Sequence, residues 1–225
     1  MTDLSKQIIT ELNIPVTMSD GTALRANIYR PKGAGPWPVL LARLPYGKDI
    51  PQVLLGFHDV FRAVQRGYVV IVQDTRGRFS SEGQWDPIAT SAYEESDTHE
   101  TIDWAAKLPY STGQVGMFGV SYYAFTQWAG MVKAPKPFKA AAPAFSWSHP
   151  FDGLIFRGGA LELGFLAYWQ MGMYLDTLPR LYSDEGELMA ARKQIISDID
   201  QLKLKIYSLP LKDFAPFQRN NVANP

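Results

Sequence analysis

The chain has 225 residues with 22 basic and 22 acidic side chains, so its formal net charge is zero. That balance disfavours a nucleic-acid partner, because such partners require a basic excess or a basic stripe. Cysteine is absent, which excludes disulfides, thiolate metal sites and cysteine nucleophiles. The length of 225 residues predicts one large domain or a domain with an insertion. Hydrophobic residues make up 46% of the sequence, which is enough for a sizeable core and argues against global disorder.

Neither the N-terminal residues nor the most apolar window of the sequence predicts a membrane segment. The first residues lack a basic region followed by an apolar core, so no signal peptide is predicted. The most apolar window, residues 151–175, is interrupted by Asp152, Arg157 and Glu162, which makes it a poor membrane span. We therefore expect a soluble, cytoplasmic protein with no membrane partner.

Strands and helices are predicted to alternate along the first part of the chain. The predicted strands are residues 8–17, 22–29, 37–42, 67–74, 115–118 and 138–143, and the predicted helices are residues 53–65, 94–107 and the segment after Ser121. The first two strands flank Ser19-Asp20-Gly21, a turn signal that predicts a hairpin. The run Tyr68-Val-Val-Ile-Val72 is apolar and β-branched, as in a parallel strand that is buried on both faces.

This order of elements predicts an α/β fold with a mostly parallel sheet and an antiparallel edge. In such sheets the functional residues lie at the carboxyl ends of the strands. Three features fall at those ends: the loop that contains Tyr46, the polar loop that begins at Asp74, and Ser121.

The character of the sequence changes after about residue 145. Residues 159–175 are apolar on most sides, and residues 184–202 carry an apolar helical stripe with acidic residues in the first turn. The stripe consists of Leu188, Ile195, Ile199 and Leu202. We therefore predict two domains, an α/β domain at residues 1–144 and a helical cap or insertion at residues 145–225.

Ser121 stands on a predicted strand–turn–helix. The segment Gly119-Val-Ser121 matches the first half of the Gly-x-Ser-x-Gly nucleophile elbow, but Tyr123 replaces the final glycine. A serine on this turn projects its hydroxyl beyond the sheet and sits at a helix N-terminus, which favours developing negative charge. The alternative is that Ser121 only caps the helix.

Tyr46 follows the third predicted strand, where an α/β hydrolase places part of its oxyanion hole. A tyrosine hydroxyl can donate to an oxyanion there, and the backbone N–H of Tyr122, the residue after the serine, is the second donor. The alternative for Tyr46 is a tyrosine packed in a proline-containing turn.

Several segments together resemble the cocaine-esterase-like (CocE/NonD) hydrolases of the X-Pro dipeptidyl-peptidase superfamily. The matching segments are Ala42-Arg-Leu-Pro-Tyr-Gly-Lys48, Val72-Gln-Asp-Thr-Arg-Gly-Arg-Phe-Ser-Ser-Glu-Gly83, residues 95–104, Gly113-Gln-Val-Gly-Met-Phe-Gly-Val-Ser-Tyr122 and Thr126-Gln-Trp128. The resemblance implies that Ser121 is the nucleophile and that Tyr46 and the Tyr122 amide form the oxyanion hole. It also implies a fold of the α/β-hydrolase type, in which residues 1–144 are the N-terminal part of the hydrolase domain, with a sheet incomplete at its C-terminal side. The helical segment of residues 145–225 then corresponds to the family's cap.

In that family the catalytic Asp and His follow the cap and precede a β-rich C-terminal domain, so we expect them to be absent from these 225 residues. The histidines in the chain are His58, His99 and His149. Each is expected to be an ordinary hydrogen-bonded or surface histidine, and His149 would be the first to consider as a substitute base. Asp74, Arg76 and Glu82 are expected to organise their loop by charge pairing.

The sequence predicts a serine hydrolase that acts on ester or amide bonds through an acyl-enzyme on Ser121. No cofactor or metal is predicted, because no pair of histidines lies near a carboxylate at ligand spacing. The expected substrate is a small ester, amide or peptide, and the oligomeric state is left open. The alternative is a truncated, non-catalytic fragment or pseudoenzyme that binds a ligand or partner.

Overall fold

The computed structural model describes residues 8–52, 59–85, 91–149 and 151–207. Its eight strands are β1 Ile8–Thr17, β2 Ala23–Pro31, β3 Trp37–Leu44, β4 Val69–Asp74, β5 Ser111–Val120, β6 Phe138–Ala144, β7 Phe156–Arg157 and β8 Ala160–Leu161. The helices assigned within these residues are α1 Val60–Gln65, α2 Ser91–Ala106, α3 Tyr122–Lys133, α4 Leu163–Tyr174, α5 Leu178–Leu181 and α6 Glu185–Lys205. The chain divides into two compact units between Ser148 and His149. The predicted boundary, between residues 144 and 145, lies a few residues earlier.

The first unit is built on one six-stranded sheet with the order β1-β2-β4-β3-β5-β6. Strand β2 pairs antiparallel with both β1 and β4, whereas β4, β3, β5 and β6 run parallel to one another. This arrangement confirms the predicted mostly parallel sheet with an antiparallel edge. All six residues of β4 are buried, as its continuous β-branched run predicts.

Apolar side chains cover both faces of this sheet because successive residues of a strand point to opposite sides. On one face, Leu41 and Ile71 belong to a cluster that Ile102 of α2 joins. On the other face, Val70 belongs to a cluster that Val60 of α1 joins. The predicted helix at residues 53–65 is therefore observed at its C-terminal end, while residues 53–58 lie outside the described part.

Helices α2 and α3 approach each other closely at Gly130. A Cβ atom at that position would lie 2.9 Å from Cγ2 of Thr98, a contact that real Cβ atoms do not make. The absence of a side chain lets α3 lie against α2, and α3 is the helix that begins directly after Ser121.

The second unit contains the β7–β8 hairpin followed by α4, α5 and α6. Its core includes Met171, Ile195 and Leu202, so the predicted apolar stripe of the last helix is buried in this unit. The side chain of Asp184 accepts a hydrogen bond from the Glu187 N–H and caps α6. Among the described residues, no helix is both long enough and apolar enough to cross a membrane.

Candidate active site

The predicted site residues lie where three neighbouring parallel strands end. Strand β3 ends at Leu44, β4 at Asp74 and β5 at Val120, and Leu44 is paired in register with Asp74. Two segments leave this edge and are named here: the Tyr46 loop, residues 45–50, and the Asp74 loop, residues 74–83. Ser121 follows β5 directly. The carboxyl edge of a parallel sheet is where α/β folds place their ligands.

Ser121 has the backbone conformation of a sharp turn that a residue with a side chain rarely adopts. Its φ is 59° and its ψ is −127°, and such a conformation costs on the order of 1–3 kcal/mol. Its N–H donates to the carbonyl oxygens of Ala144 and Phe145 at 3.0 and 3.1 Å, and its own carbonyl accepts from the N–H groups of Ala124 and Phe125. The turn between strand and helix is therefore held by main-chain hydrogen bonds.

The Ser121 hydroxyl does not cap the helix. Although Ser121 occupies the N-cap position of α3, its side chain accepts no hydrogen bond from the first turn. This observation argues against the alternative that Ser121 is only a cap, because a capping serine bonds the second or third helical N–H. The hydroxyl is half-buried and available for another role.

Tyr46 lies beside that hydroxyl. Its Oη is 3.5 Å from Oγ of Ser121, and either atom can be the donor. The Tyr46 ring also packs against the ring of Tyr123, with 5.6 Å between ring centroids. Tyr123 is the residue that replaces the final glycine of the elbow motif, and its ring gives Tyr46 a packing surface that a glycine would not provide. The structure thus brings together two predicted site residues that are 75 positions apart.

Tyr122 is the first residue of α3, immediately after Ser121. The N–H groups of a first helical turn point out of the N-terminal end of the helix, where the helix dipole favours negative charge. Its side chain is fully buried and makes edge-to-face contacts with Phe125 and Trp147. This packing anchors the start of the helix next to the serine.

Gln127 lies in a segment that carries the family resemblance, but no role in the site was predicted for it from the sequence. Its amide nitrogen donates to the carbonyl oxygens of Tyr123 and Gly119, and its amide oxygen accepts from the Ala142 N–H at 2.9 Å. One buried side chain therefore joins α3 to β5 and β6 around the Ser121 turn.

Asp74 is fully buried at the end of β4, and it organises its surroundings as expected from the sequence. Its two carboxylate oxygens accept from the backbone N–H groups of Lys48, at 2.7 Å, and Ser80, at 3.3 Å. Burial raises the pKa of Asp74 to about 6, although the hydrogen bond from Lys48 and its positive charge act in the opposite direction.

Other charges of the Asp74 loop are also paired with neighbours. Arg76 contacts Asp97 and Asp20, each at 2.7 Å, and the Glu82 carboxylate accepts from the Ala23 N–H. The expectation that Asp74, Arg76 and Glu82 pair within the loop and its surroundings agrees with these contacts.

A buried arginine supports the sheet edge below the Tyr46 loop. The guanidinium of Arg43 donates to Oε1 of Gln73 at 2.7 Å, to Thr98, and to Oε2 of Glu94 at 2.5 Å. Burial raises the pKa of Glu94 against the opposing charge of Arg43. These bonds fasten α2 to the ends of β3 and β4, and they also went unnoticed in the sequence.

The histidines occupy three different settings. His58 lies outside the described residues. His99 lies on α2, and its Nε2 is 3.5 Å from a carboxylate oxygen of Asp103, one helical turn away. His149 begins the second unit, where its Nδ1 accepts from the Phe151 N–H. Within the described part of the chain, no group of three His, Asp or Glu side chains is arranged to hold a metal ion.

Comparison with known proteins identifies chains of similar sequence and fold. A Rhodococcus cocaine esterase is 39% identical over 162 residues, which cover 70% of this chain and 27% of the esterase. The crystal structure of a CocE/NonD family hydrolase from Staphylococcus aureus superposes with a TM-score of 0.69 at 31% identity, covering 76% of this chain and 33% of that one. An α-amino-acid ester hydrolase shares the fold, with a TM-score of 0.62 at 24% identity, covering 97% of this chain and 41% of that one.

The chain thus spans about a third or less of the length of the cocaine esterase and the Staphylococcus hydrolase. The family description that matches is the X-Pro dipeptidyl-peptidase (S15) family, over residues 20–214. These relatives are esterase and peptidase-type hydrolases, and the match covers both the sheet edge and most of the second unit. The chain belongs to the X-Pro dipeptidyl-peptidase (S15) family of hydrolases.

Proposed function

We propose that this chain carries the nucleophile and oxyanion hole of a serine hydrolase that cleaves ester or amide bonds. The observation that supports it best is the Ser121 turn, where a strained backbone presents a non-capping hydroxyl 3.5 Å from Tyr46 Oη. Backbone strain that is retained at a helix N-terminus is typical of a functional nucleophile. A serine that only capped the helix would need neither the strained backbone nor a tyrosine hydroxyl beside it.

In the proposed reaction, Oγ of Ser121 attacks the substrate carbonyl carbon while its proton passes to a general base. The carbonyl oxygen becomes an oxyanion that accepts hydrogen bonds from the Tyr46 hydroxyl and the Tyr122 N–H. The leaving alcohol or amine takes the proton from the protonated base, which leaves an acyl group on Ser121. Water, deprotonated by the same base, then hydrolyses this acyl-enzyme and releases the acid.

We propose that the base and its acid partner are supplied by residues other than those described. Among the described residues of the first unit, the side chain within hydrogen-bonding distance of Ser121 Oγ is that of Tyr46, whose proposed role is to donate to the oxyanion. The second unit is proposed to correspond to the helical cap of the family, because the family match extends to residue 214. A small ester, amide or peptide is the proposed substrate class, because the relatives carry esterase and peptidase descriptions.

The test uses Ser121→Ala and a fluorophosphonate probe that labels activated serines. We expect the alanine variant to lose on the order of 10⁶-fold in kcat for a p-nitrophenyl ester in a protein that contains the complete triad. More than a few per cent of residual turnover would show that Ser121 is not the nucleophile.

The DNA sequence that follows codon 225 distinguishes the proposed hydrolase from the alternative of a non-catalytic fragment. We expect residues 1–225 expressed alone to resist the probe, because a serine without a base is weakly nucleophilic. We expect the product of a frame that continues beyond codon 225 and encodes an Asp and a His to be labelled. A stop codon together with an unlabelled chain would favour the binding-only alternative.

A further inference from the structure

The Tyr46 loop is attached to the Asp74 loop on both sides of Tyr46. The carbonyl oxygen of Pro45, one residue before it, accepts a hydrogen bond from Nε of Arg78 at 2.9 Å. The N–H of Lys48, two residues after it, donates to Oδ1 of Asp74 at 2.7 Å. Both Arg78 and Asp74 are buried, so water competes little for these bonds. The main chain around the tyrosine is therefore held at two points by the neighbouring loop.

Asp74 is itself fixed in position. Its other carboxylate oxygen accepts from the Ser80 N–H, and its backbone carbonyl accepts from the Ser81 hydroxyl at 2.7 Å. The ammonium group of Lys48 lies 3.8 Å from the same carboxylate oxygen that Ser80 contacts. The Asp74 carboxylate thus joins its own loop to the Tyr46 loop, and a shift of this carboxylate would move both loops.

The two loops also pack closely. A Cβ atom at Gly47, which has a φ of 93°, would lie 3.0 Å from Cε1 of Phe79. The guanidinium of Arg78 lies over the ring of Trp85, 4.4 Å from its centroid. The arginine that bonds Pro45 is therefore also held by ring contacts with Trp85 and Phe79, and a positioning group needs such support.

From these contacts we propose that Asp74 and Arg78 are positioning residues, which hold the Tyr46 loop so that the Tyr46 hydroxyl meets the oxyanion formed at Ser121. This inference rests on the proposed function of Tyr46. An oxyanion donor must lie 2.7–3.1 Å from the charge it stabilises, and a misplacement of about 1 Å can cost on the order of 10²-fold in rate. Neither Asp74 nor Arg78 is proposed to touch the substrate.

The first test compares Asp74→Asn with Glu82→Gln in an esterase assay of the intact protein. Both changes replace a carboxylate of the Asp74 loop with an amide, but Glu82 bonds to Ala23 and not to the Tyr46 loop. We expect Asp74→Asn to lower kcat by about 10–100-fold with KM changed less than about threefold. Glu82→Gln should keep kcat within about twofold of the unchanged protein.

A double variant separates positioning from a general structural effect. If Asp74 acts through Tyr46, Tyr46→Phe combined with Asp74→Asn should be no slower than Tyr46→Phe alone. Losses that multiply would overturn the inference. A Tyr46→Phe variant with full kcat would overturn the oxyanion role itself, whereas a slow Tyr46→Phe and a normal Asp74→Asn would overturn only the positioning role.

Hydrogen exchange supplies a readout that does not need turnover. We expect Asp74→Asn and Arg78→Met to speed amide exchange in residues 46–50 by about tenfold or more, and Arg78→Lys to restore much of the protection. Glu82→Gln serves again as the control. Unchanged exchange of residues 46–50 in both Asp74→Asn and Arg78→Met would overturn the inference, whatever the activity of the variants.

Discussion

The Ser121 turn and the Tyr46 loop meet at one site but are held in different ways. The turn is fixed by main-chain hydrogen bonds and by the neutral amide of Gln127. The Tyr46 loop is fixed by ionisable side chains, above all Asp74 and Arg78. The nucleophile's position should therefore be insensitive to pH, whereas the position of its proposed oxyanion donor depends on buried charges. Four predictions follow this difference from the largest effect to the smallest.

The largest expected effect is that of removing the Tyr46 hydroxyl. In the intact protein, Tyr46→Phe should lower kcat by roughly 10²–10³, about 3–4 kcal/mol, because the bond forms only in the transition state. KM should stay close to its original value. Steady-state kinetics with a p-nitrophenyl ester measure both constants, and a change confined to KM would instead assign Tyr46 to substrate binding.

The second prediction concerns the pH dependence of stability at Asp74. Its folded-state pKa, about 6, lies above the ordinary value of 3.8, so the folded protein binds this proton more tightly than the unfolded chain. The contribution of Asp74 to the free energy of unfolding should be fully present below about pH 4. It should fall by up to about 3 kcal/mol as the pH rises through 6. Above that pH the loss should be constant.

Urea unfolding of the unchanged protein and of Asp74→Asn isolates this contribution. The other carboxylates are the same in both proteins, so their pH dependence cancels in the difference between the two unfolding free energies. The stability advantage of the unchanged protein should be smaller at pH 7.5 than at pH 4.5. An equal difference at the two pH values would contradict the raised pKa. Ionised Asp74 would then hold the Tyr46 loop without the stability cost that its burial implies.

The third prediction concerns Gln127, the uncharged side chain that holds the Ser121 turn. Gln127→Met keeps the volume but removes the bonds to Gly119, Tyr123 and Ala142, and it should lower the unfolding free energy by about 1–2 kcal/mol. This loss should be the same at pH 5 and pH 7.5, since no ionisable group of the turn is involved. A loss that varied with pH would remove the contrast between the turn and the loop.

The smallest effect is expected from the strained backbone of Ser121. Glycine adopts a positive φ without the cost of a side chain, so Ser121→Gly should be more stable than Ser121→Ala by about 1 kcal/mol. Both variants lack the hydroxyl, and their difference therefore isolates the backbone. Equal unfolding free energies in urea would mean that the turn stores no strain.

Local patterns in the sequence determined the architecture of the first unit. The β-branched run of β4 and the turn signal at residues 19–21 act over a few neighbouring residues, so they predicted a buried parallel strand and an edge hairpin. The Gly-x-Ser segment and its strand–helix context likewise singled out Ser121 before its backbone geometry was known. The Tyr46 position came from the resemblance and from its place after the third strand.

Only the tertiary structure decided what surrounds these residues. That Tyr46 lies 3.5 Å from Ser121, and that Tyr123 fills the place of a motif glycine by packing on Tyr46, depends on strand order and register. The bonds from Asp74 to Lys48 and from Gln127 to Ala142 join residues that no local pattern relates. Buried polar side chains satisfy their hydrogen bonds with whatever the fold brings near, and for this reason their partners cannot be read from the chain alone.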